Sequence, residues 1–150
     1  MRTWITRDVI DPAAVLAEVG APQHGAAVLF LGVVRDHNEG RPVVSIRYEA
    51  YEAMAARVLA ETAAEAAMRV PGVRIAAVHR EERVGELRVG EVSLAVAVSS
   101  AHRAEAFDVA RDLLEEIKRR LPVWKEERYA DGERRWLGGE LPPVPQETGR

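Results

Sequence analysis

The sequence contains no cysteine, and aromatic residues make up only 5% of its 150 positions. Without a thiol, the chain can form no disulfide, thiolate metal site or iron–sulfur cluster, and it can carry no persulfide or thioester on a sulfur of its own. The aromatic residues are too few for a platform on which nucleic-acid bases stack. These absences exclude several classes of redox, metal-binding and single-strand-binding proteins.

Long apolar runs and a surplus of one charge are missing as well. The longest unbroken apolar run, Ala26 to Leu31, is far shorter than the roughly 18–20 residues of a membrane span, and the N-terminus has no hydrophobic signal core. With 21 Lys and Arg against 24 Asp and Glu, the net charge of −3 provides no basic field for duplex nucleic acid. We therefore expect a cytoplasmic protein that binds neither membranes nor nucleic acid, and that holds any anion through a local cluster.

Patterning along the chain predicts one domain of mixed secondary structure, since 150 residues suit a single core. Helices are predicted over residues 11–20, 54–70 and 103–121. The apolar stripe of the last helix is expected to comprise Phe107, Ala110, Leu114, Ile117 and Leu121. Strands are predicted over residues 4–10, 25–35, 43–49, 73–79, 92–99, 124–129 and 133–137. We expect residues 1–137 to form this domain and the proline-rich residues 138–150 to form a flexible tail.

The order of these elements predicts the fold class. Strands follow each other directly in some places and are separated by helices in others, which favours an α+β fold with a mostly antiparallel sheet and helices packed on one face. The strand at 25–35 is expected to form a hairpin with the strand at 43–49, and Gly85 and Gly90 are expected to mark turns. In strand 92–99 small residues alternate with larger apolar ones, and the small face is expected to lie beneath the helix at 103–121.

Familiar catalytic motifs are absent from the sequence. It has no phosphate loop, no dinucleotide-binding fingerprint and no serine-hydrolase elbow. The four histidines, at positions 24, 37, 79 and 102, include no pair at the i, i+4 spacing of metal ligands on a helix. We therefore expect neither a bound metal nor a cofactor.

Basic residues beside predicted apolar elements give a stronger signal. Arg35 stands at the end of a predicted buried strand, while His102 and Arg103 follow Ser99 and Ser100 where a strand ends and a helix begins. Backbone N–H groups at a helix start are unpaired and the helix dipole is positive there, so this segment suits a phosphate. The alternative is an ordinary capped helix start with solvated side chains.

Two lysines flank the end of the same helix. At about 100° per residue, Lys118 lies roughly 60° from the centre of the apolar stripe, Arg120 about 100° and Arg119 about 160°. A lysine that is partly removed from water near other cations can have its pKa lowered toward neutrality, which makes it usable as an acid, base or nucleophile. Seven residues on, Lys125 stands beside Trp124. The alternatives are a dipole-stabilising cation for Lys118 and a surface hairpin lysine for Lys125.

Four sequence blocks occur in a fixed order between about residue 25 and residue 136. They are Gly25-Ala26 with Phe30-x-Gly32-x-Val34-Arg35, Tyr48-Glu49-Ala50-Tyr51-x-x-Met54-Ala55, Ser99-x-Ala101-His102-Arg103, and Lys118-x-x-x-Pro122-x-Trp124-Lys125-x-Glu127. In this combination the blocks resemble the catalytic large subunit of molybdopterin synthase.

The resemblance implies an α/β-hammerhead fold and a homodimer in which each large subunit binds a small ubiquitin-like sulfur-carrier subunit, giving a heterotetramer. It further implies that the carrier's C-terminal Gly-Gly thiocarboxylate enters a pocket of the large subunit. Two sulfurs then pass from successive carriers to cyclic pyranopterin monophosphate and form the dithiolene of molybdopterin. The family's two active-site lysines fall on Lys118 and Lys125, and its anion-binding residues fall on Arg35, His102 and Arg103.

The residues agree with this activity on separate grounds. A sulfurtransferase without cysteine cannot hold sulfur itself, so its sulfur must arrive on an activated donor. A phosphate-bearing substrate requires a local cationic pocket on a chain that is not basic as a whole. We expect the anion-binding residues to hold the phosphate while Lys118 and Lys125 polarise the reacting groups and move protons.

The sequence departs from the family in two places. His79-Arg80 is separated from Val84-Gly85 by three residues where the family usually continues directly, so His79 is assigned no role. After Trp136 the chain runs into the proline-rich tail, and no basic contribution is assigned there. Two other interpretations stay open: a non-catalytic module that binds a ubiquitin-like tail or a small phosphate ligand, and an unrelated α+β domain with an anion at a helix start. The two lysines at matching positions argue against the first.

Overall fold

The computed structural model describes residues 1–137, apart from the side chains of residues 83 and 84. Its elements in chain order are β1 (Arg2–Thr6), α1 (Pro12–Ala17), β2 (Ala26–Val33), β3 (His37–Asn38), β4 (Arg41–Ala50), α2 (Glu52–Ala67), β5 (Arg74–Arg80), β6 (Glu82–Arg88), β7 (Val92–Ser100), α3 (Arg103–Arg120), β8 (Val123–Tyr129) and β9 (Arg134–Trp136). The predicted tail at 138–150 lies outside the described residues.

The first sheet has four strands in the order β1-β5-β7-β2. Its β1–β5 pair is parallel, and the β5–β7 and β7–β2 pairs are antiparallel. The larger side chains of β7, Leu94, Val96 and Val98, pack against α2 and α3 in the main core of the molecule. Alanines in α2, such as the fully buried Ala63, allow that helix to lie close to its neighbours.

The opposite face of this sheet carries α1. Ala95 and Ala97 of β7 form a second core with Val15 of α1 and Val19 just after it. The small face of β7 therefore lies beneath α1, and the prediction that it lies beneath the helix at 103–121 is wrong. The expectation of helices on one face is wrong for the same reason, because helices cover both faces. Small side chains are needed there because a short helix must approach the sheet closely.

The second sheet is built around β4. Its order is β3-β4-β8-β9, with β6 paired to β4 as well, and the pairs of β4 with β6 and with β8 are antiparallel. The predicted hairpin between strands 25–35 and 43–49 is wrong, since β2 pairs with β7 and β4 belongs to the other sheet. The α+β class with mostly antiparallel pairing and packed helices is confirmed.

One residue, Glu81, connects the two sheets, because β5 ends at Arg80 and β6 begins at Glu82. Gly85 lies inside β6, so the turn predicted at this glycine is wrong. Gly90 does occupy a turn, with φ of +90°, a backbone conformation that glycine adopts without a side-chain penalty. The β5–β6 passage brings the end of the first sheet against the second.

The buried face of α3 differs from the predicted stripe. Ala106, Val109, Ala110, Leu113 and Ile117 are its buried residues, whereas Phe107 is 56% exposed. Within residues 1–137, no helix combines the length and the apolar character needed to cross a bilayer. The cytoplasmic location stays a prediction.

Candidate functional site

A pocket of about 130 Å³ opens where the two sheets meet the C-terminal end of α3. Six elements contribute to its walls, which explains why no single stretch of sequence describes it. The lining residues are Gly32, Tyr48, His79, Ser93, Leu94, Ile117, Lys118, Leu121, Val123 and Lys125. Both lysines predicted as catalytic therefore lie on one pocket.

Strand β8 supplies one lysine through simple alternation. Side chains at every second position of a strand share a face, so Val123, Lys125, Glu127 and Tyr129 point the same way. Glu127 and Tyr129 are buried on this face, next to the core of the second sheet. Lys125 is consequently drawn away from water, beside the buried Glu127 carboxylate.

Helix α3 supplies the other lysine. Ile117 is buried in the main core and Lys118 follows it, so that Lys118 emerges at the edge of the pocket. Lys118 is exposed and Lys125 is half-buried, so the predicted place of Lys118 near the border of the apolar stripe is wrong. Burial lowers the pKa of Lys125 from its ordinary value, and the nearby positive charge of Lys118 lowers it further, while Glu127 opposes the shift.

His79 forms part of the same pocket, at the end of β5. Its Nδ1 lies 2.9 Å from the Arg80 carbonyl oxygen, and its ring meets the Tyr48 ring edge-on at 5.2 Å between centroids. Burial lowers the pKa of His79 to about 4, and the positive charges of Lys118 and Lys125 add to this effect. The imidazole is therefore neutral near pH 7. Sequence reasoning assigned His79 no role, and its place at the end of a buried strand was the available signal.

Arg35 reaches this site through a short chain of hydrogen bonds. Arg35 Nη2 donates to Asn38 Oδ1 at 3.2 Å, and Asn38 Nδ2 donates to Glu127 Oε1 at 2.6 Å. The charge of Arg35 also lowers the pKa of Lys125 slightly, which places the guanidinium near that amine. Lys118 and Lys125 line the pocket, and Arg35, outside its wall, completes a basic cluster with them because its charge acts on Lys125.

His102 and Arg103 lie elsewhere in the chain. They occupy the N-terminal end of α3, whereas Lys118 is near its C-terminal end. At 1.5 Å per residue, the 15 positions between Arg103 and Lys118 correspond to about 22 Å. One small phosphate ligand cannot touch both ends within a single chain. The structure therefore brings together three of the five predicted site residues and separates the other two.

The composition contains a signal for the pocket that residue spacing does not provide. Of the 21 Lys and Arg residues, 19 are arginines, and the only two lysines are Lys118 and Lys125. An arginine stays protonated in proteins, whereas a lysine amine can release its proton when it is desolvated. Both amines capable of proton transfer therefore lie on one pocket, in a chain that uses arginine elsewhere.

The chain matches the model of the family described as MoaE protein over residues 5–120. The chain belongs to the MoaE family. It is 42% identical to molybdopterin synthase catalytic subunit 1 of Mycobacterium tuberculosis over 134 residues, which cover 89% of this chain and 88% of that relative. The crystal structure of molybdopterin synthase from Staphylococcus aureus matches with a TM-score of 0.83 at 32% identity, covering 90% of this chain and 96% of that one.

A third MoaE-like match concerns the fold alone. A structure of the complex of subunits 1 and 2 of molybdopterin-converting factor from Helicobacter pylori matches with a TM-score of 0.73 at 20% identity, covering 95% of this chain and 94% of that one. These matches confirm the resemblance on which the sequence-based assignment relied, and with it the fold. Since the MoaE relative from Mycobacterium is a catalytic subunit, the pocket is a candidate active site.

The pocket's chemistry suits an anionic substrate. Two amines and a guanidinium attract a negative group, and the half-buried Lys125 can give up a proton more readily than a lysine in water. Tyr48 and Ser93 provide hydroxyls on the pocket wall, and burial raises the pKa of Tyr48, so its hydroxyl stays protonated. In the part of the chain that the structure describes, no three potential metal ligands come together.

Proposed function

We propose that this MoaE-family chain is the catalytic subunit of a molybdopterin synthase. It transfers sulfur from the C-terminal thiocarboxylate of a small ubiquitin-like carrier to cyclic pyranopterin monophosphate, forming the dithiolene of molybdopterin. The observation that carries this proposal is the pocket at the sheet junction, which collects the only two lysines of a cysteine-free chain. This chemistry needs amines and an incoming activated sulfur, and it needs no thiol from the protein.

In this mechanism each transfer exchanges a carrier sulfur for a substrate oxygen. The thiocarboxylate sulfur forms a bond to a substrate carbon, and that carbon loses its oxygen, either as water or, where the oxygen belongs to the cyclic phosphate, as an oxygen of the opened phosphate. Hydrolysis of the acyl–sulfur bond then releases the carrier as a carboxylate. Protons must therefore reach the departing oxygen, while no oxidant or reductant is needed. Lys125 moves these protons because its lowered pKa makes proton release easier. Lys118 attracts and orients the thiocarboxylate, and its amine passes protons together with Lys125.

The phosphate of the substrate requires cations beyond the two lysines. Arg35 lies in the basic cluster and is held in place by Asn38. His102 and Arg103 are too far along α3 to join this cluster in one chain, so they act from a second copy in the homodimer that the resemblance implies. In a twofold dimer each chain can lend the start of its α3 to the partner's pocket.

The partner of this chain is a small carrier subunit whose tail ends in Gly-Gly thiocarboxylate. The words "catalytic subunit" in the name of the Mycobacterium relative indicate a second kind of subunit in that enzyme. Two large and two small subunits form a heterotetramer. A tail that ends in glycines suits this site because a pocket of this size would exclude larger side chains, which glycine lacks.

Reconstitution tests the proposal. The purified chain is mixed with a thiocarboxylated small subunit and cyclic pyranopterin monophosphate, and the dithiolene product is followed by mass spectrometry. Product that disappears in a folded Lys118→Ala variant supports the proposal. A stable carrier complex that leaves the thiocarboxylate unconsumed favours the alternative, a non-catalytic binding module. Absence of any carrier complex would contradict both interpretations.

A further inference from the structure

His79 presents an unused hydrogen-bond acceptor to the candidate active site. Its side chain is more than nine-tenths buried, since the residue is 8% exposed, and it lines the pocket together with Lys118 and Lys125. The edge-on contact with Tyr48 fixes the plane of the ring. His79 is therefore a rigid part of the pocket wall, and its ring nitrogens are held in defined positions.

The hydrogen bond to the backbone determines which ring nitrogen carries the proton. A carbonyl oxygen only accepts hydrogen bonds, so Nδ1 donates its proton to the Arg80 oxygen at 2.9 Å. The ring is neutral because burial and the two lysine charges hold its pKa at about 4. Nε2 therefore has a free lone pair. Among the residues that the structure describes, none donates a hydrogen bond to it.

The buried side-chain atoms of the described residues that lack a hydrogen-bond partner do not include His79 Nε2, so this atom is open to the pocket, where the N–H of a ligand can take the place of water. The ligand group that enters between the lysines is, on the proposed function, the thiocarboxylate of the carrier tail. The backbone N–H of the terminal glycine is separated from the thiocarboxylate carbon by only one atom. A tail anchored by the lysines thus carries its last N–H into the neighbourhood of His79.

We propose that His79 is a further substrate-positioning residue, whose Nε2 accepts a hydrogen bond from the N–H of the carrier's terminal glycine. The lysines attract the negative thiocarboxylate, and His79 fixes the direction from which it enters. A neutral acceptor suits this place because it adds no positive charge beside the two lysines and still binds an N–H. This inference rests on the proposed function, since it assumes the carrier tail as ligand.

The test changes the ligand first and leaves the protein intact. Two thiocarboxylated carriers are compared, one with the natural tail and one in which an ester oxygen replaces the N–H of the terminal glycine. Affinity for the wild-type chain is measured by calorimetry without the pterin substrate, so that no turnover occurs. One net hydrogen bond predicts about threefold to tenfold weaker binding of the ester tail. Equal affinity of the two tails would overturn the proposal.

Variants of His79 then locate the acceptor. In His79→Phe, which keeps an aromatic ring against Tyr48, both tails should bind equally, whereas His79→Gln retains an acceptor and should retain the preference for the natural tail. A purely structural His79 would lower the melting temperature without changing the ratio of the two affinities. An unchanged ratio in His79→Phe, or a rise confined to the KM for the pterin, overturns the proposal.

These outcomes are separate from failure of the proposed function. If the wild-type chain binds no carrier, or binds it and forms no dithiolene when the pterin is added, the proposed function fails irrespective of His79. If wild-type turnover is normal and the tail preference is absent, only the assignment of His79 fails.

Discussion

His79 links the chemistry of the pocket to the stability of the whole fold. Its pKa falls from 6.5 to about 4 on folding because burial excludes water from the charged imidazolium. Between these two values the unfolded chain binds a proton that the folded chain does not. The free energy of unfolding is therefore unaffected by this group above pH 6.5 and decreases as the pH falls from 6.5 toward 4.

The first prediction follows from this difference in proton binding. Between pH 7 and pH 4, His79 should remove about 3 kcal/mol from the free energy of unfolding. The variant His79→Phe lacks this contribution, so its stability should decrease less than that of the wild type over the same interval. Urea unfolding at several pH values measures both slopes. Parallel pH dependence of the two proteins would show that His79 is not buried as a neutral ring.

The pocket has lysine rather than arginine at positions 118 and 125. An arginine at either position would keep the positive charge and lose the amine that can give up a proton. A pocket that required charge alone would be served by arginine, which this chain uses at 19 other positions. On the proposed function, the two lysines on this pocket serve proton transfer as well as anion attraction.

At the scale of elements, strand β8 and the end of α3 set the properties of Lys125. Alternation along β8 places Glu127 on the same face as Lys125, two residues away, and α3 brings Lys118 from the other side. The two neighbours act in opposite directions on the pKa of Lys125, since a cation disfavours the ammonium form and a carboxylate favours it.

The second prediction concerns the opposite effects of Lys118 and Glu127 on the pKa of Lys125. Lys118→Met should raise the pKa of Lys125, because a nearby positive charge is removed. Glu127→Gln should lower it further, because the opposing carboxylate is removed while the amide can still accept from Asn38. With only two lysines in the chain, NMR titration of the lysine Cε resonances reports each amine without overlap. Shifts of the same sign in both variants would contradict the arrangement.

Elements with a strong local pattern were predictable from the sequence, and their partners were not. The alanine-rich α2 and the alternating β7 were expected, with ends that lie within three residues of those observed. Strand β6 was missed because it is mostly charged and Gly85 resembles a turn signal, although Leu87 on this strand is fully buried. Pairing of β4 with β8 joins residues about 80 positions apart, and no local pattern encodes such a contact.

The buried face of α3 shows the same limit on a smaller scale. The predicted stripe contained Phe107 and omitted Leu113, which is fully buried. Phe107 and Leu113 both fit an apolar repeat of about 3.6 residues, and packing against the sheet decides which of the two is buried. The predicted buried face was therefore rotated about the helix axis, which placed Lys118 closer to the core than the structure does.

At the scale of the whole molecule, the candidate site was partly predictable. Lys118, Lys125 and Arg35 were named from their sequence blocks, and they come together. His79 was not, because its place on the pocket wall depends on how the end of β5 and the end of α3 come together in the fold. Because about 22 Å separates the two ends of α3, the proposed function has His102 and Arg103 reach the ligand from a second copy.

The third prediction tests this division of the site between two copies. Lys118→Ala should be inactive, and a chain with both His102→Ala and Arg103→Ala should lose most of its activity. After subunit exchange in an equal mixture, half of the dimers contain one chain of each variant. In such a dimer, one of the two pockets combines the intact Lys118 of one chain with the intact His102 and Arg103 of the other. About a quarter of all pockets are then complete, so about a quarter of wild-type turnover should return. Turnover is measured by dithiolene formation. No recovery despite verified exchange would show that each pocket uses residues of one chain alone.

The amine at position 118 is central to the proposed sulfur transfer, and single-turnover kinetics test its role. Single-turnover sulfur transfer from a thiocarboxylated carrier is compared in the wild type, Lys118→Arg and the neighbouring variant Arg119→Ala. Arg119 forms a surface ion pair with Glu116, so its removal should leave the rate close to that of the wild type. Lys118→Arg keeps the charge and should still slow transfer by about 100-fold or more. A Lys118→Arg rate within a few-fold of wild type would contradict a role for the lysine amine in sulfur transfer.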